Sequence, residues 1–356
     1  MMKMFLLVLL FLTTPIYAQF DLNSEDASLS IQQPKEKKEE KKGFFSFLKL
    51  PFLKGLDEDV KVKKTKEGVS FLEDLNELAE NDDEQAIGAL GYIYLYGDED
   101  LGVERNPEKA FEYYSKGAKL NNVLSLNNLA NLYYSGIGVE RDRKAAAENF
   151  KKSVELGSVD AAVNLAFMFL TGDGVLLSKD NAAFLFNYAA KEGNVISQYM
   201  LGLCYYYGVN YPRDYNVASS YVEKAAKAGF DEAQFFLAKM YLKGHGVPQN
   251  YGIGVSLLNK AIKQDNLNAM YGLADILATG YRYPKDLFKA HILYNLSSVK
   301  GKKDAANKRA VIEKLLKIEE ILEAQAQANR FVFAPTEITT YVRSTFGRNL
   351  ERLIED

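Results

Sequence analysis

Six leucines, Leu90, Leu129, Leu165, Leu201, Leu237 and Leu273, return along the chain at a nearly constant spacing, and each stands four residues after a small residue: Ala86, Ser125, Ala161, Ser197, Ala233 or Ala269. The next position is small again (Gly91, Ala130, Ala166, Gly202, Ala238, Ala274), and a further step reaches Tyr94, Tyr133, Phe169, Tyr205 or Tyr241. Steps of four share one face of a helix, so the pattern predicts a helix whose small residues admit a close neighbour while leucines and aromatics fill the core. A second helix is predicted to open at Asn106, Asp142, Ser178, Asp214, Asn250 and Asp286, 36 residues apart, each able to cap orphan backbone N–H groups. Four residues into it stands Ala110, Ala146, Ala182, Ala218, Gly254 or Ala290, a second close-packing point.

The first helix of each pair is predicted to end at a glycine, and Gly136, Gly172, Gly208 and Gly244 keep the same period of 36. The interval from Gly97 to Gly136 is 39, the surplus lying in the acidic turn Asp98-Glu99-Asp100. A fixed period in this range means stacked helix pairs, none of which can bury its apolar face alone. The expected architecture is therefore all-α: an α/α superhelical solenoid of about six helix-turn-helix repeats over residues 69–301. An amphipathic segment, Ser70 to Glu80, is expected to cap its N-terminal end. Beyond Gly301, Val311, Leu315, Ile318 and Leu322 alternate in steps of four and three. That predicts one long capping helix over 302–329, with a coiled coil as the alternative. A helical tail, 330–356, restarts at Thr336.

The N-terminal part reads differently. Lys3, the apolar run Met4 to Leu12 and the ending Ile16-Tyr17-Ala18 predict a secretory signal peptide over residues 1–18. Residues 19–68, with the run Pro34 to Lys42, lack the apolar side chains that offset ordering entropy and are expected to be a disordered charged linker. Within it, the aromatic and basic island at 43–54 fits either a strap lying on the solenoid or a contact for a membrane surface or partner.

Composition adds exclusions. With 44 basic against 47 acidic residues there is no positive excess to grip nucleic acid. Cys204 is the only cysteine, so no disulfide can form within the chain, and His245 and His291 are the only histidines. With so little raw material for a nucleophile, base or metal set, no catalytic residue, metal site or cofactor is expected. The Gly-x-Gly turns are not phosphate loops, because no Lys-Ser/Thr follows and no strand precedes them.

The pattern Ala-x-x-x-Leu-Gly/Ala-x-x-Tyr-x-x-Gly-x-Gly-Val, a cap, Lys-Ala and a closing Ala-Ala-x-x-Gly, as in Ala225-Ala226-Lys227-Ala228-Gly229, resembles the Sel1-like repeats, relatives of the tetratricopeptide repeats. The likeness implies a right-handed superhelix that recognises proteins or peptides, without catalysis. The fourth and sixth turns, with Val209-Asn210 and Tyr281-Arg282, depart from the pattern and are expected to be shaped differently. The cysteine pairs of some secreted members are absent. In overall plan the chain resembles the DipA-type envelope proteins of intracellular bacteria, which implies a host-interaction role.

First-helix positions off the Ala/Leu/Tyr pattern vary from unit to unit and hold Tyr92, Asn128, Asn131, Asn164, Tyr199 and Lys239. Amide and phenol groups suit an extended peptide, so these six are the candidate protein-binding residues on an inner face. The expected function is an exported scaffold or adaptor that binds an envelope protein or peptide, in the periplasm, at the outer membrane, or surface-exposed or secreted. The alternative is an envelope enzyme or enzyme regulator acting on cell-wall material.

Overall fold

The computed structural model describes residues 66–347 and 350–355. The signal peptide, nearly all of the linker and the 43–54 island lie outside them. Among the described residues there are seventeen helices, and the only strand-like pairing is a bridge between Asp98 and Val103. They form two compact units, one reaching Met168 and including the turn Gly172–Leu176, the other comprising Phe169–Thr171 and the chain from Leu177 onward.

The first unit contains α1 (Lys66–Glu80), α2 (Glu84–Tyr96), α3 (Pro107–Lys119), α4 (Val123–Ser135), α5 (Arg143–Glu155) and most of α6 (Val159–Thr171). The second contains α7 (Lys179–Lys191), α8 (Val195–Tyr207), α9 (Tyr215–Lys227), α10 (Asp231–Lys243), α11 (Tyr251–Lys263), α12 (Leu267–Thr279) and α13 (Leu287–Val299). It continues through α14 (Lys303–Glu313), α15 (Ile318–Asn329), α16 (Glu337–Thr345) and the short α17 (Arg352–Glu355). Within the first unit α1 packs on α2, α2 on α3, α3 on α4 and α4 on α5, and within the second α7 packs on α8 and each following helix on the next as far as α14.

Each helix from α2 to α13 has 13 residues, about 20 Å of rise at ~1.5 Å per residue. Their ends are chemically fixed. All six residues expected to open the second helices do so, each with its side chain accepting from backbone N–H groups of the first turn. The first helices are capped too, at Asp83, Asn122, Ser158, Asn194 and Asn266. The exception is α10, which begins after Phe230 and has no cap bond from that side chain.

Gly136, Gly172, Gly208, Gly244 and Gly280 close the first helices in the left-handed conformation. The second turn glycine has a different reason to exist: a Cβ on Gly246, at φ 70°, would lie 1.8 Å from the carbonyl oxygen of Tyr215 in the preceding pair. The fourth and sixth turns correct an expectation. Asn210 (φ 59°) and Arg282 (φ 57°) adopt the left-handed backbone that Gly138, Gly174 and Gly246 adopt, so the turns keep one shape. Asparagine tolerates that region better than arginine does.

The six leucines and the small residues beside them are buried, as are Ala110, Ala146, Ala182, Ala218, Gly254 and Ala290. The aromatic position is the second correction: Tyr94, Tyr133, Phe169, Tyr205 and Tyr241 are only half-buried. Tyr94 stacks on Tyr113 of its own pair at 5.6 Å and Tyr205 on Tyr221 of its own pair at 6.2 Å, whereas Tyr133 meets Phe111 of the preceding pair edge-on at 5.4 Å.

In place of one long helix over 302–329 stand α14 and α15, separated at 314–317. Glu320 Oε2 accepts the Lys317 N–H at 2.8 Å, restarting the helix, and α15 then packs on α13, burying Ala324 and Ala328 against Ile292. Folding back turns the alanine face inward, so the four residues of the expected seam are 59–64% exposed.

Candidate polypeptide-binding face

The 36-residue register, with the three-residue surplus of the first turn, sets Tyr92, Asn131, Lys239 and Asp275 at one first-helix position. Asn127, Tyr199, Phe235 and Tyr271 share the position four residues earlier, one helical turn away. Asn128 and Asn164 share a third. The six candidate residues thus fall on equivalent faces, four in the first unit and two in the second.

In the first unit Asn128 and Asn131 are 5% and 3% exposed, and Tyr92 and Asn164 are half-buried. They do not stand out into solvent, because a helix packed between two neighbours has little free surface. Asn127, one turn before Asn131 and 4% exposed, joins them; its place in the repeat register is visible in the sequence, its burial is not. Asn127 Oδ1, Asn131 Nδ2 and Asn164 Nδ2 are buried and have no partner among the described residues. A buried polar atom left in that condition costs ~1–3 kcal/mol, which a bound donor or acceptor would recover.

In the second unit the same face carries a segment of the chain itself. Past α15 the chain comes back along it, starting where the Ala334 N–H donates to the Lys263 carbonyl at 2.7 Å. Thr336 donates its N–H to Gln264 Oε1 at 3.0 Å, and its hydroxyl lies 3.0 Å from the Gly229 carbonyl. Thr339 Oγ1 accepts the Asp231 N–H at 3.2 Å, supplying from 108 residues away the acceptor that Phe230 cannot provide. Arg343 Nη2 then donates to Asp231 Oδ2 at 2.7 Å, and the Leu350 N–H to Glu232 Oε2 at 2.8 Å. Glu351 Oε1 receives Lys239 Nζ at 2.7 Å and the Tyr207 hydroxyl. Lys179 Nζ donates to the Ile354 carbonyl at 3.2 Å.

One repeat further on, α14 covers α12 in the same fashion. Lys308 Nζ lies 2.7 Å from Asp275 Oδ1, and Lys302 and Lys308 stand over the Tyr271 ring at 5.0 and 4.5 Å. Tyr199, 1% exposed, sits beneath the tail with its ring against Phe230 at 5.2 Å. Burial first, and then the negative field of Glu232, Glu351 and Asp231, raises its phenol well above the ordinary range. Lys239 is therefore a contact residue for a polypeptide segment that belongs to this chain, and Tyr199 lines a cavity together with Arg343 and Glu351 of that segment.

The residues weighed as catalytic raw material are engaged locally. His245 Nδ1 lies 2.8 Å from the Tyr206 hydroxyl, its ring stacks on Tyr215 at 4.5 Å, and partial burial lowers its pKa. His291 is buried with Nε2 at 2.8 Å from Glu313 Oε1. Cys204 is buried, and its thiol is pushed up to about 12 by desolvation. No three His, Cys, Asp or Glu side chains among the described residues gather at metal-ligand spacing, and no described helix is long and apolar enough to cross a membrane.

Helix pairs of fixed length, stacked in register and presenting one face to a bound segment, define an all-α repeat solenoid. The Sel1 repeat matches residues 85–122, 123–158, 159–194, 195–230, 231–266 and 267–299, and the chain belongs to the Sel1 repeat family. Sel1-repeat proteins are protein-interaction scaffolds, in general non-catalytic. Among solved structures, it is similar to c5321, a protective antigen of uropathogenic Escherichia coli strains displaying an SLR fold, with 25% identity and a TM-score of 0.64. That similarity covers 82% of this chain and 63% of the antigen. A Sel1 repeat protein from Oxalobacter formigenes is 26% identical with a TM-score of 0.53, over 64% of this chain and 99% of that one. No curated protein matches the sequence.

Proposed function

We propose that this protein is a non-catalytic scaffold that holds partner polypeptides on its first-helix face, and that the first unit takes an extended segment of an exported or envelope partner. One observation carries the reading: residues 334–347 and 350–354 lie on the equivalent face of the second unit, held by backbone and side-chain bonds from α8, α10 and the ends of α9 and α11. The face is thus built for polypeptide. In the first unit it offers amide atoms of Asn127, Asn131 and Asn164 with no partner among the described residues, one acceptor and two donors, the two kinds of group that each residue of an extended backbone carries. The signal-peptide-like start supports export. The likeness to a protective antigen, a protein the host encounters, supports an exposed or released location and a host-interaction role.

The test is capture of partners from envelope fractions by the full chain and by a triple variant, Asn128→Ala, Asn131→Ala and Asn164→Ala. Helical content should be kept while capture of at least one partner falls, each lost bond being worth ~0.5–1.5 kcal/mol. Normal capture by the triple variant, together with loss in a variant lacking His245, His291 and Cys204, would overturn the reading in favour of an enzyme.

A further inference from the structure

The C-terminal segment on the second unit is held chiefly through side chains. It enters on the backbone bond from Ala334 to Lys263, and its later bonds to the repeats, among the described residues, use a side chain on at least one side. Three of them give the segment its chemistry: Thr339 Oγ1 accepts the Asp231 N–H, Arg343 donates to Asp231 Oδ2, and Glu351 receives Lys239. Val342, Phe346, Leu350 and Ile354, at steps of four, are buried. The segment thus shows the repeats an apolar edge flanked by a hydroxyl, a guanidinium and a carboxylate, the manner in which an amphipathic peptide lies in a groove. Anchors made by side chains are ones that a second polypeptide can take over.

The fit is incomplete. Between the segment and the face lies a cavity of about 180 Å³, walled in part by Tyr199, Phe235 and Leu267 of the repeats and by Arg343 and Glu351 of the segment. Protein interiors hold few voids larger than a water molecule, which needs ~10–15 Å³. The atoms along such a void forfeit contacts, so the two surfaces attract each other less than closely packed ones would. Room is left there for a side chain that the segment does not itself present. Thr345, on α16, adds a buried hydroxyl with no partner among the described residues.

We propose that the first-helix face of the second unit is a binding site for a segment of another protein, and that residues 334–347 and 350–354 are its intramolecular competitor. The partner it fits is an amphipathic segment that repeats the competitor's chemistry: a hydroxyl for the Asp231 N–H, an arginine four residues on for Asp231 Oδ2, and a later carboxylate for Lys239. It adds a side chain for the cavity. Closure by the competitor lowers the partner's apparent affinity in proportion to the fraction of molecules whose face is open. The inference rests on the polypeptide-binding reading but concerns the other unit, and its test leaves the first-unit asparagines in place.

The experiment is fluorescence anisotropy of a labelled synthetic peptide, residues 334–354, titrated with the full chain as wild type, Glu351→Ala and Lys239→Ala. A scrambled peptide is the control and should not bind. Glu351→Ala removes the competitor's carboxylate and leaves Lys239 to the peptide's own, so the peptide should bind saturably and roughly ten- to a hundredfold more tightly than to wild type. Lys239→Ala breaks the same contact but also removes the peptide's partner, and should gain far less. The triple variant Asn128→Ala, Asn131→Ala and Asn164→Ala should bind the peptide as wild type does. If Glu351→Ala fails to fold, Thr339→Val takes its place, since the peptide brings its own hydroxyl. Equal affinity for wild type and the loosened variant, an equal gain in Lys239→Ala, or no saturable binding to a folded variant would overturn the proposal. So would wild-type dimers that the peptide separates, which would assign the face to segments exchanged between copies.

Discussion

The ammonium of Lys239 and the carboxylate of Glu351 meet at 2.7 Å although 112 residues separate them, and Glu351 is nearly buried where they meet. Their contact closes the C-terminal segment over α8 and α10, where Tyr207 also donates to the same oxygen of Glu351.

Glu351→Ala should loosen that segment. Hydrogen bonds to charged groups contribute ~1.5–3 kcal/mol, so the tail should open roughly ten- to a hundredfold more often while the repeats stay folded. Hydrogen exchange in α16 and in the first turn of α10 should accelerate by that factor. Exchange unchanged from wild type would mean that the ion pair contributes nothing to docking.

Thr339→Val tests the cap that α10 receives from outside. Valine keeps the shape and removes the oxygen that accepts the Asp231 N–H and donates to Gln264 Oε1 at 2.8 Å. Loss of an N-cap costs ~0.5–2 kcal/mol, and denaturant unfolding followed by circular dichroism should show a fall in that range. Wild-type stability would show that α10 needs no borrowed cap.

Two glycines should respond to alanine with opposite sign. At Gly246 the added methyl would sit 1.8 Å from the Tyr215 carbonyl in a left-handed backbone, whereas at Gly272, within α12, it meets nothing within 4 Å. Gly272→Ala should stabilise by ~0.5–1 kcal/mol, the helix propensity difference. Gly246→Ala should lower the melting temperature clearly. Equal shifts in the two melts would contradict the turn geometry.

Leu201→Asp should unfold the second unit, since Leu201 is fully buried in α8 and an unpaired buried carboxylate costs several kcal/mol, against ~5–15 for a whole domain. Cys204, one turn along α8, reports it. With its pKa near 12, the thiol remains protonated and buried at pH 8, and a thiol reagent should leave the native chain unlabelled. Labelling should become rapid in Leu201→Asp. A variant as inert and as stable as wild type would refute the assignment of the buried face.

The helix pairs were legible because their signals are local. A capping side chain acts on the next three residues, a glycine ends the helix it follows, and small and leucine positions four apart define a face that needs only a like neighbour to be buried. Repetition of those signals six times fixed the period, the close-packing alanines and the second-helix starts, and the structure follows them. The candidate site was legible only as a set of positions that escape the packing pattern. That Asn131 and Asn164 would hold buried amide atoms without partners among the described residues, and that Lys239 would pair with Glu351 of the tail, was not.

What the tertiary structure alone decided concerns contacts between residues far apart in sequence. Nothing around Phe230 says that Thr339 will cap α10, and nothing around residues 314–317 says that the heptad-like run will break so that Ala324 and Ala328 face α13 while Leu315 and Leu322 stay outside. A helix written by periodicity has a face, but which of two competing faces is buried depends on the surface it meets. The amphipathic pattern of 302–329 offered both a leucine-rich seam and an alanine face, and the α13 surface around Ile292 selected the smaller residues because they allow the closer approach.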